Sequence, residues 1–589
     1  MGILNGSRIN FWGGIQTNVC TANNTQTPGG KDILDLVNAT IVGDLTDDEM
    51  IEWFRTPAYT KNGEPAFTES GWNYYGDHLV NSVDAKISSE GPAGNMVTDG
   101  SLANQPVYLL GSLDPVTGQG PFFGPVMVDL DPTSGVTTQI FFGGLQIGTN
   151  EDIKLLIRHN AVCSSHSLDL RILNGETDSP GSSKINGTFQ LTFPLSSIVQ
   201  HDTSCKTLEA IIKDPKATGI VLRFSMFEMA PYMTTPEQLA DFQANRNSSN
   251  PSSGRVIGTL GPAYEGEWDT CPPGRLLQNQ TGGATGFAQV HDDFLSLDTV
   301  SLMLKENFRA DRTDFTGPIG PNIKFDSLDV SAGSEVIGSY DPLSEDYYLY
   351  GGIIDVPVDT SQKKEALATS PIEIIGHQAV SGSDQGNSVS ISEIPLRIDS
   401  NDRNIYLEDI AGTPDRICGV SYLGGPLPSD TNFAINSYSS GTLPNPRFLT
   451  FSKCAHAKAG DSTISFSVED NGSGRAGFEQ LQISLGTSAY FINFRRYPET
   501  DFGIPAGSTV TWDQAYDNVL RFFYIVFPAM SKRIPLNFED SIKATGPQIL
   551  ARTSEEYRDT TLYMPIVRSM TPSQVKLLRA FLTNTPWNP

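Results

Sequence analysis

Short runs of β-branched and aromatic residues, each closed by Gly, Pro, Asn or Asp, recur along most of this chain and restrict it to a strand-and-turn architecture. In the first half they are Gln105–Gly111, Gly124–Leu130, Thr138–Gly148, Ile153–Arg158, Phe189–Phe193 and Gly219–Phe227. Between two of them, Asp131-Pro132-Thr133-Ser134-Gly135 sets φ with Pro at its second position and predicts a hairpin. From about Ser296 the runs shorten: Thr299–Leu304, Ser327–Val330, Tyr347–Val358, Ile372–Ile375, Ser388–Ile391, Arg403–Leu407, Arg447–Phe451, Thr463–Val468, Gln480–Ser484 and Tyr490–Phe494. Their regular spacing predicts one large or two small β-sandwiches. Only 18% of residues are charged, and Gly (55) and Pro (38) are abundant, which excludes a coiled coil or a helix-dominated fold.

With 589 residues the chain exceeds one core. The reading is mainly β, with consecutive β-sandwich-like domains, short helical insertions and a C-terminal helical segment. The divisions fall at 1–290, 291–505 and 506–589. Short helices are expected over Thr46–Thr56 and from Thr235, and a polar loop over Asn245–Gly254. In the tail, apolar residues recur at helical spacing from Thr511 to Pro528, and Thr571-Pro572-Ser573-Gln574 opens a second helix. The faces Phe522–Phe527 and Val575–Leu582 should be covered, by the β body or by a second subunit.

A net charge of −27 argues against nucleic acid and anionic membrane as partners, since both need a basic footprint. The six cysteines form no CxxC, residues 1–25 lack a signal peptide's features, and no apolar run is long enough to span a bilayer. The expected location is the cytoplasm. No HExxH, nucleophile elbow or glycine-rich phosphate loop is present. His159, Cys163 and His166 have spacing that suits a soft metal, but a strand end followed by a turn is the reading taken, with no metal site. Asp129 and Asp131 could hold a hard cation, yet Asp131 already starts the turn. His291-Asp292-Asp293 reads as a solvated linker. The richest stretch is Gly71-Trp72-Asn73-Tyr74-Tyr75-Gly76-Asp77-His78. Three aromatic rings and one imidazole suit a flat ligand or a haem; the bland alternative is a loop histidine bonded to a carbonyl.

Collinear patches run through the chain. They begin with Ile3-Leu4, Arg8-Ile9-Asn10-Phe11, Gly13, Asn18 and Thr21-Ala22-Asn23, then Gly71-Trp72-Asn73 with Gly76, then Asp129-Leu130-Asp131-Pro132-Thr133 with Gln139-Ile140-Phe141. Val256-Ile257-Gly258, Pro273-Gly274-Arg275-Leu276-Leu277, Gly352-Ile353-Ile354-Asp355-Val356-Pro357 and Asn404-Ile405-Tyr406-Leu407-Glu408 follow. Phe527-Pro528-Ala529-Met530-Ser531 and Tyr563-Met564-Pro565 close the series. In this the chain resembles the N-terminal module of the iminophenyl-pyruvate dimer synthases of bisindole pigment pathways. The resemblance implies secondary metabolism, where such proteins couple two molecules of a tryptophan-derived α-imino acid and haem iron accompanies them. Those proteins continue after the Tyr-Met-Pro segment into a ferritin-like helical domain, so the coupling activity is not carried over and the cofactor stays open. The expectation is a stand-alone biosynthetic enzyme for a flat, aromatic or polyketide-like molecule. The alternative is a non-catalytic binding or assembly module whose partner, a ferritin-like protein, supplies the chemistry; a homodimer is the other partner considered. His78 and Arg8 are the expected catalytic residues, and Trp72, Tyr74, Tyr75 and Arg275 the ligand-binding ones. Arg8 and Arg275, in two strongly matching patches, could hold a substrate carboxylate or simply staple loops together.

Overall fold

The computed structural model describes residues 2–27, 32–55, 73–169, 186–231, 249–279, 285–302, 325–341, 344, 347, 349–378, 388–410, 415–438 and 446–589. Strands take 42% of the chain and helices 19%, so the fold is mainly β.

The first β unit has two antiparallel sheets. One runs in the order Val80–Pro92, Ser7–Thr17, Ser252–Tyr264, Ala217–Pro231, Asn186–Pro194, Ser167–Asp169. The other is centred on Thr138–Gly148, with Ile153–Ser164 on one side and Val107–Leu110 and Val126–Asp129 on the other. Thr138–Gly148 is buried at every position, which is why it reads as a near-continuous apolar run rather than an alternating one. Phe142 and Phe224 meet edge to face across the two sheets, ring centroids 6.0 Å apart, in a core shared by Phe11, Ile157 and Leu260. The Asp131 turn forms as its residues require: Asp131 Oδ1 accepts from Thr133 N (2.9 Å) and Thr133 Oγ1 (2.8 Å).

Next comes an eight-stranded curled antiparallel sheet, from Arg275–Asn279 to Ser388–Ile394. A sandwich of a four- and a five-stranded sheet follows, from Leu396–Asp399 to Ser488–Arg496. The eight-stranded sheet thus starts upstream of residue 291, and His291-Asp292-Asp293 is the turn of a hairpin between Thr285–Val290 and Phe294–Asp298 rather than a linker. Thr299–Leu304 is not a strand where it is described: Val300–Leu302 is a 3₁₀ turn. The expected loop Asn245–Gly254 ends early, because Ser252 already pairs with Thr17 in the first sheet. The helix expected from Thr235 lies outside the described residues.

The C-terminal segment is helical as its capping residues require. Thr511 and Thr571 each complete a capping box, with Gln514 and Gln574. The apolar faces of Trp512–Val526 and Pro572–Thr583 share a core with Cys20, Leu34, Met50 and Phe54 near the N-terminus. The covering element is therefore an early segment of the same chain, which includes the helix Asp47–Arg55, and Phe478 joins it from the β body. Asp47 ties the two together, accepting from Arg521 Nε (2.8 Å) and Tyr516 Oη (2.5 Å).

Candidate functional site

The aromatic loop does face a cavity, and the C-terminal segment supplies its other wall. The void of about 440 Å³ is lined by Asn18, Tyr75, Gly76, Asp77, His78, Leu79, Phe123, Val126 and Ser249. On the far side are Phe527, Ala529, Met530, Lys532, Arg533, Thr561, Met564, Ile566 and Val567. A pocket of this size with mostly apolar walls and a few polar groups suits a small organic ligand.

A network of asparagines holds the loop. Asn73 Nδ2 donates to Asn18 Oδ1 (3.0 Å) and Val19 O (2.8 Å), and Asn18 Nδ2 donates to Asp77 Oδ1 (2.8 Å) and Ser249 Oγ (3.2 Å). At Gly76 the backbone passes so close that an added Cβ would lie 2.5 Å from Asn18 O. His78 takes a left-handed backbone, φ +63°, uncommon for a residue with a side chain. His78 Nδ1 lies 2.9 Å from Met127 O. A carbonyl can only accept, so Nδ1 carries the proton and Nε2 the lone pair of the neutral ring.

Two cations come consecutively, Lys532 with its ammonium 4.9 Å from the Tyr75 ring centre and Arg533 with its guanidinium 4.5 Å from that of Phe123. Partial burial pushes the Lys532 ammonium below its ordinary value, opposed by the charge of Asp77. An acidic protein thus carries a locally cationic, aromatic-walled cavity.

Tyr75 and His78 are at the cavity, whereas Tyr74 is not: it is fully buried, stacked on Phe54 at 5.7 Å, with its hydroxyl donating to Ile525 O (2.5 Å). Trp72 lies outside the described residues. Arg8 is buried at the opposite end of its strand, roughly 30 Å from the His78 loop at ~3.3 Å per residue, where Nη2 donates to Asp355 Oδ2 (2.5 Å). Arg275 is also a staple. It pairs through two nitrogens with Glu393 and donates to Leu367 O (2.5 Å) and Ser370 O (2.8 Å). Neither arginine reaches the cavity.

His159, Cys163 and His166 do not converge. A bulge opposite Gly143 leaves His159 exposed and Cys163 facing the core, and burial raises the Cys163 thiol far above its ordinary value. His166 turns toward Asp399 of the third β unit, Nε2 to Oδ1 3.1 Å. Asp129 and Asp131 serve separate turn contacts, Asp129 accepting from Thr138 Oγ1 at 2.6 Å. A haem does not fit the aromatic cavity, because His78, the one histidine among its described lining residues, is 5% exposed and packed against Phe527 in the wall.

Sequence reasoning left out the second wall as a site. Its signal was present in the patches Phe527–Ser531 and Tyr563–Pro565, which bring Phe527, Ala529, Met530 and Met564 to the cavity that Gly76 also lines. No family model matches the chain, and no curated protein matches it.

Proposed function

We propose that this protein binds a flat, aromatic small molecule bearing an anionic group in the cavity between the residue 75–79 loop and the C-terminal segment, and that it serves secondary metabolism. The observation that carries the reading is convergence. Three separated stretches that resemble the bisindole-pathway synthases contribute Gly76, then Phe527, Ala529 and Met530, then Met564 to one cavity wall. Tyr75, Phe123 and Phe527 offer ring faces, Met530 and Met564 adaptable thioethers, and Lys532 with Arg533 a place for a carboxylate. An aromatic acid of tryptophan size meets these demands.

One observation favours an enzyme over a plain binder. The carbonyl of Met127 orients the His78 ring, and His78 holds a backbone region that costs about 1–3 kcal/mol to maintain; such strain clusters at functional sites.

The test is saturation-transfer NMR with a panel of indole and phenyl carboxylates and their neutral amides. The acids should bind saturably and the amides roughly tenfold or more weakly. Ala529→Phe, which fills the cavity, should abolish binding with little change in melting temperature. Acids that fail to bind, or that bind Ala529→Phe as well as the wild type, would remove the proposal.

A further inference from the structure

The three β-rich parts meet at a second polar centre, whose residues are separate from those lining the aromatic cavity. His166 follows the strand Ile153–Ser164 of the first unit, Cys271 lies in the connector ahead of Arg275–Asn279, and Asp399 ends Leu396–Asp399 of the last sandwich. His166 Nε2 or Nδ1, Cys271 Sγ and an Asp399 oxygen all lie within 4.8 Å of one another. We propose that these three side chains form a binding site for a zinc-class divalent cation.

Two observations point to a ligand there. His166 Nε2 and Asp399 Oδ1 face each other at 3.1 Å, both buried, in an orientation that gives neither atom a well-formed hydrogen bond among the described residues. Such pairs are costly in a protein interior, and a cation between the two lone pairs removes the cost. The second is the orientation of Asp399. Arg397 holds its other oxygen, Oδ2, with Nε at 2.5 Å, and donates onward to Gly274 O and Pro272 O, both at 2.5 Å. This leaves Oδ1 aimed at His166, the outer-shell arrangement that fixes a ligating carboxylate.

The geometry needs little adjustment. Tetrahedral zinc with bonds near 2.0–2.1 Å to nitrogen and oxygen has an N···O edge of about 3.4 Å, and an N···S edge of about 3.5 Å. The first is almost met, and the sulfur, no more than 4.8 Å from either partner, must close by at most about 1.3 Å. A mixed nitrogen, sulfur and oxygen donor set selects zinc-like ions over magnesium or calcium. The Cys271 thiol now donates to Ser400 O at 3.1 Å and gives up its proton when the metal arrives. A void of about 280 Å³, lined by Cys271, Arg397 and Asp399, gives a water access to the fourth position.

The experiment loads the chelator-stripped full chain with cobalt(II), a spectroscopic stand-in for zinc. The expected result is one tightly held equivalent, with intense tetrahedral visible bands and a near-ultraviolet thiolate-to-cobalt absorption. Cys271→Ser should lose that absorption and roughly tenfold or more of the zinc affinity, because even outer-shell losses cost that much. The exposed Cys454, beside His456, is the competing thiol, and Cys454→Ser should leave the absorption unchanged. Should Cys271→Ser not fold, X-ray absorption of the zinc-loaded wild type decides, with one sulfur among nitrogen and oxygen ligands expected. No thiolate absorption in the wild type, its loss in Cys454→Ser, or a shell with no sulfur or several would overturn the site.

Discussion

Replacing Arg275 by Met separates a structural arginine from a ligand-binding one. Arg275 and Glu393 are both nearly inaccessible, with 3% and 1% of their side chains exposed, and they pair through two nitrogens. Glu393 also accepts from Ile372 N at 2.8 Å, so it cannot swing out to water without breaking the sheet. Removing the guanidinium strands a buried carboxylate and leaves the carbonyls of Leu367 and Ser370 without this donor. Breaking such a pair from one side costs about 3–5 kcal/mol. Adding Glu393→Gln removes the stranded charge while keeping an acceptor for Ile372, so the double variant should recover about half of the loss. Urea unfolding followed by circular dichroism measures both, and aromatic-acid affinity of the still-folded protein should stay at the wild-type level. The reasoning fails if Arg275→Met costs under about 1 kcal/mol, if Glu393→Gln gives no recovery, or if ligand affinity falls without loss of stability.

Three further outcomes follow from particular contacts. Phe523→Ala, in the core shared by the C-terminal helices and residues 20–54, should cost about 3–5 kcal/mol in a denaturant melt; a cost near zero would mean that this core is not packed as described. Gly76→Ala should disturb the loop, because its Cβ meets Asn18 O at 2.5 Å, and calorimetry should show ligand affinity falling more steeply than stability. Burial, reinforced by Arg8 and opposed by Asp355, pushes the His291 imidazole from 6.5 down to about 4. The native state keeps it neutral while the unfolded chain protonates it below about 6.5, so stability is full above that pH and falls as pH drops toward 4. After allowance for solvent access the loss is about 1 kcal/mol, and His291→Gln should flatten the pH–stability curve over that window by this amount.

What could be read in advance was local chemistry. The Asp131 turn and the capping box at Thr571 depend on residues a few positions apart, and they form as read. Val80–Pro92 escaped notice because its inner end is polar: Ser88, Ser89 and Glu90 are buried and satisfied by tertiary contacts, among them Leu349 O. The same limit governs the sites. The aromatic loop announced Tyr75 and His78, but its opposite wall comes from residues 527–567, brought there only by the fold. Arg8 has the same chemistry as staple or substrate clamp, and a partner 347 residues away, Asp355, decides between them. His166 was weighed with its sequence neighbours, whereas its structural neighbours are Cys271 and Asp399.

The central claim is that the cavity beside His78 receives an aromatic acid. A crystal structure of the protein soaked with the tightest acid of the panel tests it most directly. The account predicts density for the ligand ring between Tyr75 and Phe527, with its carboxylate within hydrogen-bond distance of Lys532 or Arg533. Density for the ligand elsewhere on the protein, or none at saturating concentration with the cavity unobstructed, would contradict it.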